Sequence, residues 1–209
     1  MTQPSLAASS LTGEQREVAR QRILRAAGAA LAARGLAATV DDVAEAAGVS
    51  RRTIFRHFAT RDALFVEVIR AGVRRYAEQL PEPPDGGDLH AWLAELLAVT
   101  HRLNARNGRA FWDLLGVRAE DLSPDLAAAA AECRDSRNRF ASTVTEFLWH
   151  ARGGAGSPPP WLTDAVAVQL SGFTTQSLGG DLGRTPEQVA HVSARVIEAA
   201  LASALARPA

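Results

Sequence analysis

Hydrophobic residues recur at spacings of three and four along most of the chain, which is the period of an α-helix. The first such segment ends near Arg34 and places Ile23, Leu24 and Ala27 on one face. The same period recurs over residues 89–104, 124–150, 161–178 and 186–206, with a shorter aromatic segment over residues 108–117. Since no segment alternates like a strand, the pattern predicts an all-α protein of about nine helices.

Side chains that cap helix N-termini precede most of these segments. The candidate caps are Thr12 with Gln15, Thr39 with Asp42, Ser50, Thr60, Ser123 before Pro124, and Thr185 with Gln188. Gly35 and Gly48 stand where helices should end, because glycine accepts the left-handed conformation of a helix C-terminus. Residues 1–11, which are small and polar, are expected to form a tail, and Gly179 and Gly180 are expected to end the segment over 161–178.

A proline- and glycine-rich stretch, PEPPDGG over residues 81–87, interrupts the helical pattern. Such a stretch is typical of a domain boundary. The sequence therefore predicts an N-terminal domain over residues 12–80 and a larger helical domain over residues 88–207.

Composition narrows the class of protein without fixing its function. Hydrophobic residues make up 47% of the chain and charged residues 22%, which is ordinary for a globular protein. No apolar run approaches the ~20 residues that a membrane span needs, and the N-terminus has no signal-peptide pattern. We therefore expect a cytoplasmic protein. The single cysteine, Cys133, lies on the inward face of its helix and is expected to be a buried small hydrophobe.

The net charge is zero, but its distribution is uneven. Residues 1–76 hold twelve arginines and seven acidic residues, a net charge of +5, and the remainder carries −5. A basic first third on an acidic body favours a polyanion as the partner of that first third.

Residues 39–65 have the features of a helix-turn-helix. Ala44 and Ala47 are small enough for a second helix to cross close by, and Gly48 can take the positive φ of the turn. Ile54 and Phe58, one helical turn apart, would hold the second helix against the body of the domain.

The opposite face of that second helix carries groups suited to DNA. Arginine can donate two hydrogen bonds to guanine, and a phenylalanine ring can contact a thymine methyl group. Thr53 and His57 lie where phosphates would pass. The exposed face itself carries Arg51, Arg52, Phe55 and Arg56. Thr39 and Arg61 begin the flanking helices, where backbone N–H groups and a charge can meet phosphate.

The string from Thr39 to Phe65 resembles the DNA-binding domain of the tetracycline-repressor (TetR) family of bacterial regulators. The resemblance runs from Arg16 to about Val68 and includes ILRAA at Ile23–Ala27. It implies a homodimer of nine or ten helices whose third helix enters the major groove of double-stranded DNA. It also implies a set of recognition contacts: Ser50, Arg51, Arg52, Thr53, Phe55, Arg56 and His57.

Two positions depart from the family pattern, which usually has tyrosine at position 55 and lysine at position 61. Phe55 lacks the hydroxyl that could bond a phosphate or base, so its contact with DNA should be apolar or absent. Arg61 keeps the positive charge of the usual lysine.

The resemblance further implies that the larger domain binds a small effector and that the last two helices, about 161–178 and 186–206, pair with those of a second subunit. Large aromatic side chains concentrate in this domain, and Gln169 and Gln176 could anchor a polar group within an apolar helix. We therefore expect a hydrophobic or aromatic effector. The candidate contacts are Trp92, Leu96, Phe111, Trp112, Phe140, Val144, Phe147, Gln169 and Phe173.

The same residues allow other interpretations. The basic helix could be an ordinary solvated surface, and the aromatic residues could be plain core. An enzyme is disfavoured because no catalytic set or phosphate-binding loop is present, and a DNA-binding module without an effector is a further alternative. Scattered histidines predict no metal site, and no cofactor is expected. The sequence favours a ligand-responsive repressor that binds a palindromic operator, although repression and activation would use the same contacts.

Overall fold

The computed structural model of the protein describes residues 6–206, and describes side chains throughout that range except those of residues 6–12 and 107–116. Within the described residues the chain is all-α, without a strand, as the sequence predicts. The helices are α1 Leu6–Arg34, α2 Val40–Ala47, α3 Arg51–His57, α4 Arg61–Ala77, α5 Leu89–Gly116, α6 Pro124–Ala151, α7 Pro160–Gln169, α8 Gly172–Thr175 and α9 Pro186–Leu205. None of these helices is long and apolar enough to cross a membrane.

Two helices are longer than the sequence predicts. Helix α1 begins at Leu6, so the expected tail over residues 1–11 is helical from that point, and the expected cap Thr12 lies inside the helix. Helix α5 runs continuously from Leu89 to Gly116, where two segments were expected. A single glycine within a helical pattern costs only ~1 kcal/mol, so Gly108 does not break α5.

The helix expected over residues 161–178 is interrupted instead. Helix α7 ends at Gln169, and the Ser171 hydroxyl accepts a hydrogen bond from the Thr174 N–H at 3.3 Å to start the short α8. A π-helix, Gln176–Asp181, follows directly and includes Gly179 and Gly180, the residues expected to end the helix. Ser171 has an extended backbone (φ −76°, ψ 151°), so the segment expected to form one helix is divided into two.

The first hydrophobic core fixes the positions of α1 to α4. Its largest fully buried side chains include Ile23, Ile54 and Phe65. Leu126 and Ala129 from the first turns of α6 belong to the same core, although the sequence places them in the larger domain. Arg70 of α4 donates two hydrogen bonds to the Glu132 carboxylate of α6, at 2.6 and 2.8 Å. The N-terminal helices are therefore packed directly against the rest of the chain.

The turn between α2 and α3 is set by local chemistry, as predicted. Thr39 and Asp42 form a reciprocal capping box, and Ser50 caps α3. Gly48 has φ 60°, and its carbonyl accepts a hydrogen bond from Arg22 Nη2 of α1 at 2.9 Å. The turn is thereby tied to α1, which the sequence does not reveal.

The second core joins α5, α6, α7 and α9 and contains much of the aromatic content. Trp92 and Phe147 meet edge to face with ring centroids 4.9 Å apart. Cys133 is buried among apolar side chains between α4 and α6, as expected, and burial raises the pKa of its thiol to about 11.

A polar network lies inside this body. His101 of α5 is fully buried, with Nδ1 2.8 Å from Thr175 Oγ1 of α8 and Nε2 3.1 Å from Ser193 Oγ of α9. The Thr175 hydroxyl also lies 3.3 Å from the Asn104 side-chain amide nitrogen, which donates to it. Burial lowers the pKa of His101 to about 4, so the ring is neutral at pH 7. The network holds three helices together with a neutral imidazole.

We predict that Gly48→Ala destabilises the protein while Gly72→Ala does not. Alanine at the left-handed Gly48 costs about 1–2 kcal/mol of the free energy of unfolding. Gly72 lies within α4, and a Cβ there meets no atom within 4 Å, so alanine should add about 0.5–1 kcal/mol. Denaturant unfolding measures both changes, and equal shifts of the same sign would contradict the assigned conformations.

We also predict that His101 makes stability depend on pH. Between pH 6.5 and about 4 the unfolded chain binds a proton that the folded state does not, so the free energy of unfolding falls as the pH falls through this window. The loss should total about 3 kcal/mol, and roughly 2 kcal/mol of it by pH 5.

Denaturant unfolding at pH 7 and pH 5 should show this loss in the natural protein and a smaller one in His101→Gln. His191 is exposed on α9, so His191→Gln should retain the full pH dependence. If all three proteins showed the same dependence, burial of His101 would not be its source.

Candidate functional site

The exposed face of α3 carries the side chains that the sequence singles out. Burial of Ile54 within the helix and of Phe58 at its C-cap turns the opposite face outward. Arg52, Phe55 and Arg56 lie on that face, and Phe55 is 42% exposed. Within the described residues, Arg52 and Arg56 make no hydrogen bond or ion pair. These three side chains can therefore meet a ligand without first breaking a contact.

Two other predicted arginines already have partners. Arg51 Nη1 lies 2.9 Å from Asp41 Oδ2 at the start of α2. Arg61 donates from Nε to the Ala38 carbonyl at 2.9 Å and from Nη2 to the Leu36 carbonyl. Its guanidinium also stacks over the Phe65 ring, 4.6 Å from the centroid. Arg61 thus braces the turn before α2.

The predicted hydroxyl contacts also serve as helix caps. The Thr39 hydroxyl bonds the Asp42 carboxylate at 2.8 Å, and the Ser50 and Thr53 hydroxyl oxygens are 3.0 Å apart. Thr39 and Ser50 are exposed and Thr53 is half-buried, so a phosphate could still reach the backbone beside them. These residues position α2 and α3 whatever else they contact.

His57 ends α3 in a positively charged environment. It is half-buried, and its Nε2 atom is buried without a hydrogen-bond partner in the described part of the protein. Burial, followed by the charges of Arg56, Arg20 and Arg16, lowers the pKa of His57 below its ordinary value. The imidazole is therefore protonated less readily than a free histidine.

Sequence reasoning missed the contribution of α1 to this surface. Arg16 and Arg20 lie one helical turn apart on α1, close enough to His57 to act on its pKa. The Arg20 guanidinium lies 5.4 Å from the Phe58 ring centroid and pairs with Glu67 of α4. Their i, i+4 spacing was a usable signal, but only the tertiary structure brings them next to α3.

The predicted effector contacts whose side chains are described differ in burial and position. Trp92, Leu96 and Val144 are buried in the second core, and the half-buried Phe140 and Phe147 pack against it. Gln169 is half-buried at the end of α7. Phe173 is 64% exposed, because the break at Ser171 places it on the outer side of α8. Phe111 and Trp112 lie outside the residues whose side chains are described.

A cavity of about 240 Å³ opens elsewhere, between α5, the π-helix and the first turn of α9. Its polar lining was not expected: of the candidate polar anchors, only Gln176 lines it. The cavity is also lined by Asn104, Thr175, Gly179, Gly180 and Arg184, and by the apolar Ala105, Pro186 and Val189. The cavity therefore adjoins the buried network of His101 rather than the aromatic core.

No cluster of three or more His, Cys, Asp or Glu side chains that could hold a metal ion occurs among the described residues. The chemistry that the described surfaces offer is hydrogen bonding and charge.

The N-terminal helices match the sequence model of a known protein family. A sequence model of the bacterial regulatory proteins of the tetR family matches residues 23–68. That range begins within α1 and ends within α4, so it contains the whole helix-turn-helix.

Two curated relatives, both from Pseudomonas putida, extend the match beyond these helices. The HTH-type transcriptional regulator SrpR is 29% identical over 143 residues, 67% of this chain and 64% of SrpR. The chain thus matches slightly less than two thirds of that relative. The uncharacterized HTH-type transcriptional regulator TtgW is 30% identical over 144 residues, 68% of this chain and 97% of TtgW.

A solved structure extends the likeness to nearly the whole chain. The structure of the flavonoid-responsive regulator FrrA is 26% identical in sequence, with a TM-score of 0.57 over 91% of this chain and 96% of FrrA. Together with the helix-turn-helix and its exposed arginines, these matches show that the chain belongs to the tetR family of bacterial regulatory proteins, which are DNA-binding transcriptional regulators.

Proposed function

We propose that this protein is a ligand-responsive repressor that binds a palindromic DNA operator as a homodimer and works in the cytoplasm, where DNA is accessible. The observation that carries the proposal is the face of α3, where Arg52, Phe55 and Arg56 stand exposed on a helix held by buried Ile54 and Phe58. Residues 12–80 would form the DNA-binding domain, and residues 88–207 the effector and dimerisation domain.

Each side chain would have a distinct task on DNA. Arg52 and Arg56 would read base edges in the major groove, and Phe55 would contact a thymine methyl group. Arg16, Arg20 and Arg51 would add positive charge beside the phosphates, with Arg51 exchanging Asp41 for DNA. Thr39, Ser50, Thr53 and His57 would lie along the backbone, where backbone contacts fix register and orientation.

A dimer is favoured by apolar side chains left exposed on the last two long helices. Trp161 and Val168 of α7, and Val192 and Val196 of α9, are each more than 40% exposed. Val192 and Val196 are one helical turn apart and lie beside the buried face of α9. A two-fold dimer would hold two α3 helices about one DNA turn apart or somewhat more, as a palindromic site requires.

Effector response would pass through the packing between α4 and α6. Leu126 and Ala129 share the first core, and Arg70 pairs with Glu132, so a shift of α6 would move α4 and the helix-turn-helix with it. A ligand that favours a different spacing of the two α3 helices would weaken operator binding by the difference in its affinity for the two states. A coupling of ~1–3 kcal/mol corresponds to roughly 5–150-fold. The flavonoid-responsive relative FrrA is in keeping with such a response.

We predict that Arg52→Ala and Arg56→Ala each weaken specific operator binding by roughly 5- to 150-fold, because each removes a contact worth ~1–3 kcal/mol. Fluorescence anisotropy with DNA from beside the protein's own gene, over a salt series and against a scrambled duplex, measures the loss. Both variants should fold and dimerise normally, since neither side chain has a partner among the described residues.

Arg139→Ala is the matched control, because Arg139 is exposed on α6 away from α3. Its operator affinity should equal that of the natural protein. Unchanged affinity in both α3 variants would refute the assignment of α3 as the recognition helix.

We predict that Val192→Glu combined with Val196→Glu converts the dimer to a monomer at micromolar concentration. Burying unpaired carboxylates at an interface costs several kcal/mol, so association should weaken by at least ~100-fold. Sedimentation equilibrium measures the mass. His191→Glu puts the same charge on another side of α9 and should leave the dimer intact, whereas a dimeric double variant would rule out this face.

A further inference from the structure

The volume and lining of the cavity beside the π-helix favour one class of small molecule. Its volume of about 240 Å³ lies just below the ~300–1,000 Å³ of sites for drug-sized ligands, so its occupant must be small. The cavity is formed where the chain leaves regular α-helix, and π-helical turns occur frequently at functional sites.

Its walls supply hydrogen-bond donors and one positive charge. The side-chain amides of Asn104 and Gln176 and the hydroxyl of Thr175 belong to the lining, and Arg184 is the one charged lining residue in this part of the described chain. Among the residues whose side chains are described, no carboxylate belongs to the lining. Glu187, just beyond it on α9, is paired with Arg102 at 3.5 Å.

The Gln176 amide has room only because position 180 is glycine. A Cβ on Gly180 would lie 2.4 Å from Gln176 Nε2, closer than such atoms approach. The amide is therefore seated over bare backbone at the cavity wall, and any larger residue at 180 would displace it.

The Asn104 amide makes two long hydrogen bonds. Its nitrogen donates to the Leu170 carbonyl at 3.4 Å and to Thr175 Oγ1 at 3.3 Å, both beyond the usual 2.7–3.2 Å of N–H···O bonds. An anionic oxygen in the cavity would offer this amide a stronger, charge-assisted bond. A purely apolar occupant would pack against Ala105, Pro186 and Val189 but would leave the polar groups of the lining without a partner.

We propose that this cavity binds a small molecule bearing a carboxylate, which is held by Arg184 with the amides of Asn104 and Gln176. The inference rests on the proposed function in that the molecule would be the effector of the regulator. It adds a carboxylate to the hydrophobic or aromatic effector expected from the sequence. Thr175 lines the cavity and contacts buried His101, which in turn contacts Ser193 of α9. A bound molecule would therefore be linked to the helix proposed to form the dimer.

Isothermal titration calorimetry of the full chain without DNA tests this site with three probes of matched shape: benzoate, benzamide and benzylamine. Benzoate should bind roughly tenfold more tightly than benzamide, and benzylamine should not bind. Arg184→Gln should remove the preference for benzoate while leaving weak benzamide binding. Gly180→Ala should weaken both probes by displacing Gln176.

Arg152→Gln is the matched control, since Arg152 is exposed at the end of α6 and does not line the cavity. Absence of benzoate binding at millimolar concentration, or equal benzoate affinity in Arg184→Gln, would overturn the proposal. Thermal melting of each variant shows that the fold is retained, and Arg184, being exposed, should tolerate glutamine.

The anisotropy assay with operator DNA separates this inference from the proposed function. Specific DNA binding without benzoate binding would refute the acid site alone. Benzoate binding without specific DNA binding would refute the repressor and leave the site standing.

Discussion

The burial of Ile54 and Phe58 is the contact on which the rest of the DNA-facing surface depends. These two side chains, one turn apart, hold α3 against the first core and leave only one face of a seven-residue helix exposed. A helix this short is not stable alone, so tertiary packing must supply its order. The caps at Ser50 and Thr39, the left-handed Gly48 and the bond from Arg22 fix where α3 begins. Arg52, Phe55 and Arg56 are consequently presented together by a rigid scaffold.

The first core extends beyond the proline- and glycine-rich stretch over residues 81–87 and includes side chains of α6. Leu126, Ala129 and the Arg70–Glu132 pair join α6 to α4, although residues 81–87 separate them in sequence. The exposed ion pair itself contributes little to stability. The shared apolar packing matters more, because packed side chains cannot shift independently of one another. A change in the larger body therefore has a physical route to the recognition helix.

Buried polar groups also determine how the helices of the larger body pack together. His101, Thr175 and Ser193 satisfy one another in a region where an unpaired polar group is costly. Thr175 of this network also lines the cavity, beside Asn104 and Gln176. The proposed ligand site thus adjoins a buried polar network, and Trp92 and Phe147 pack edge to face in the second core.

The sequence by itself determined the all-α fold, the helix caps, the left-handed turn at Gly48 and the exposed arginines of α3. These follow from periodicity and from interactions within a few residues, which a local pattern records. Only the tertiary structure decided the positions of Arg16 and Arg20 beside His57, the brace formed by Arg61, the break at Ser171 and the polar cavity. Those features depend on contacts between residues far apart in the chain, and a helical pattern does not state which helix another will meet. The exposed Phe173 illustrates this, because the cap formed by Ser171 interrupts a segment that periodicity had predicted to be one continuous helix.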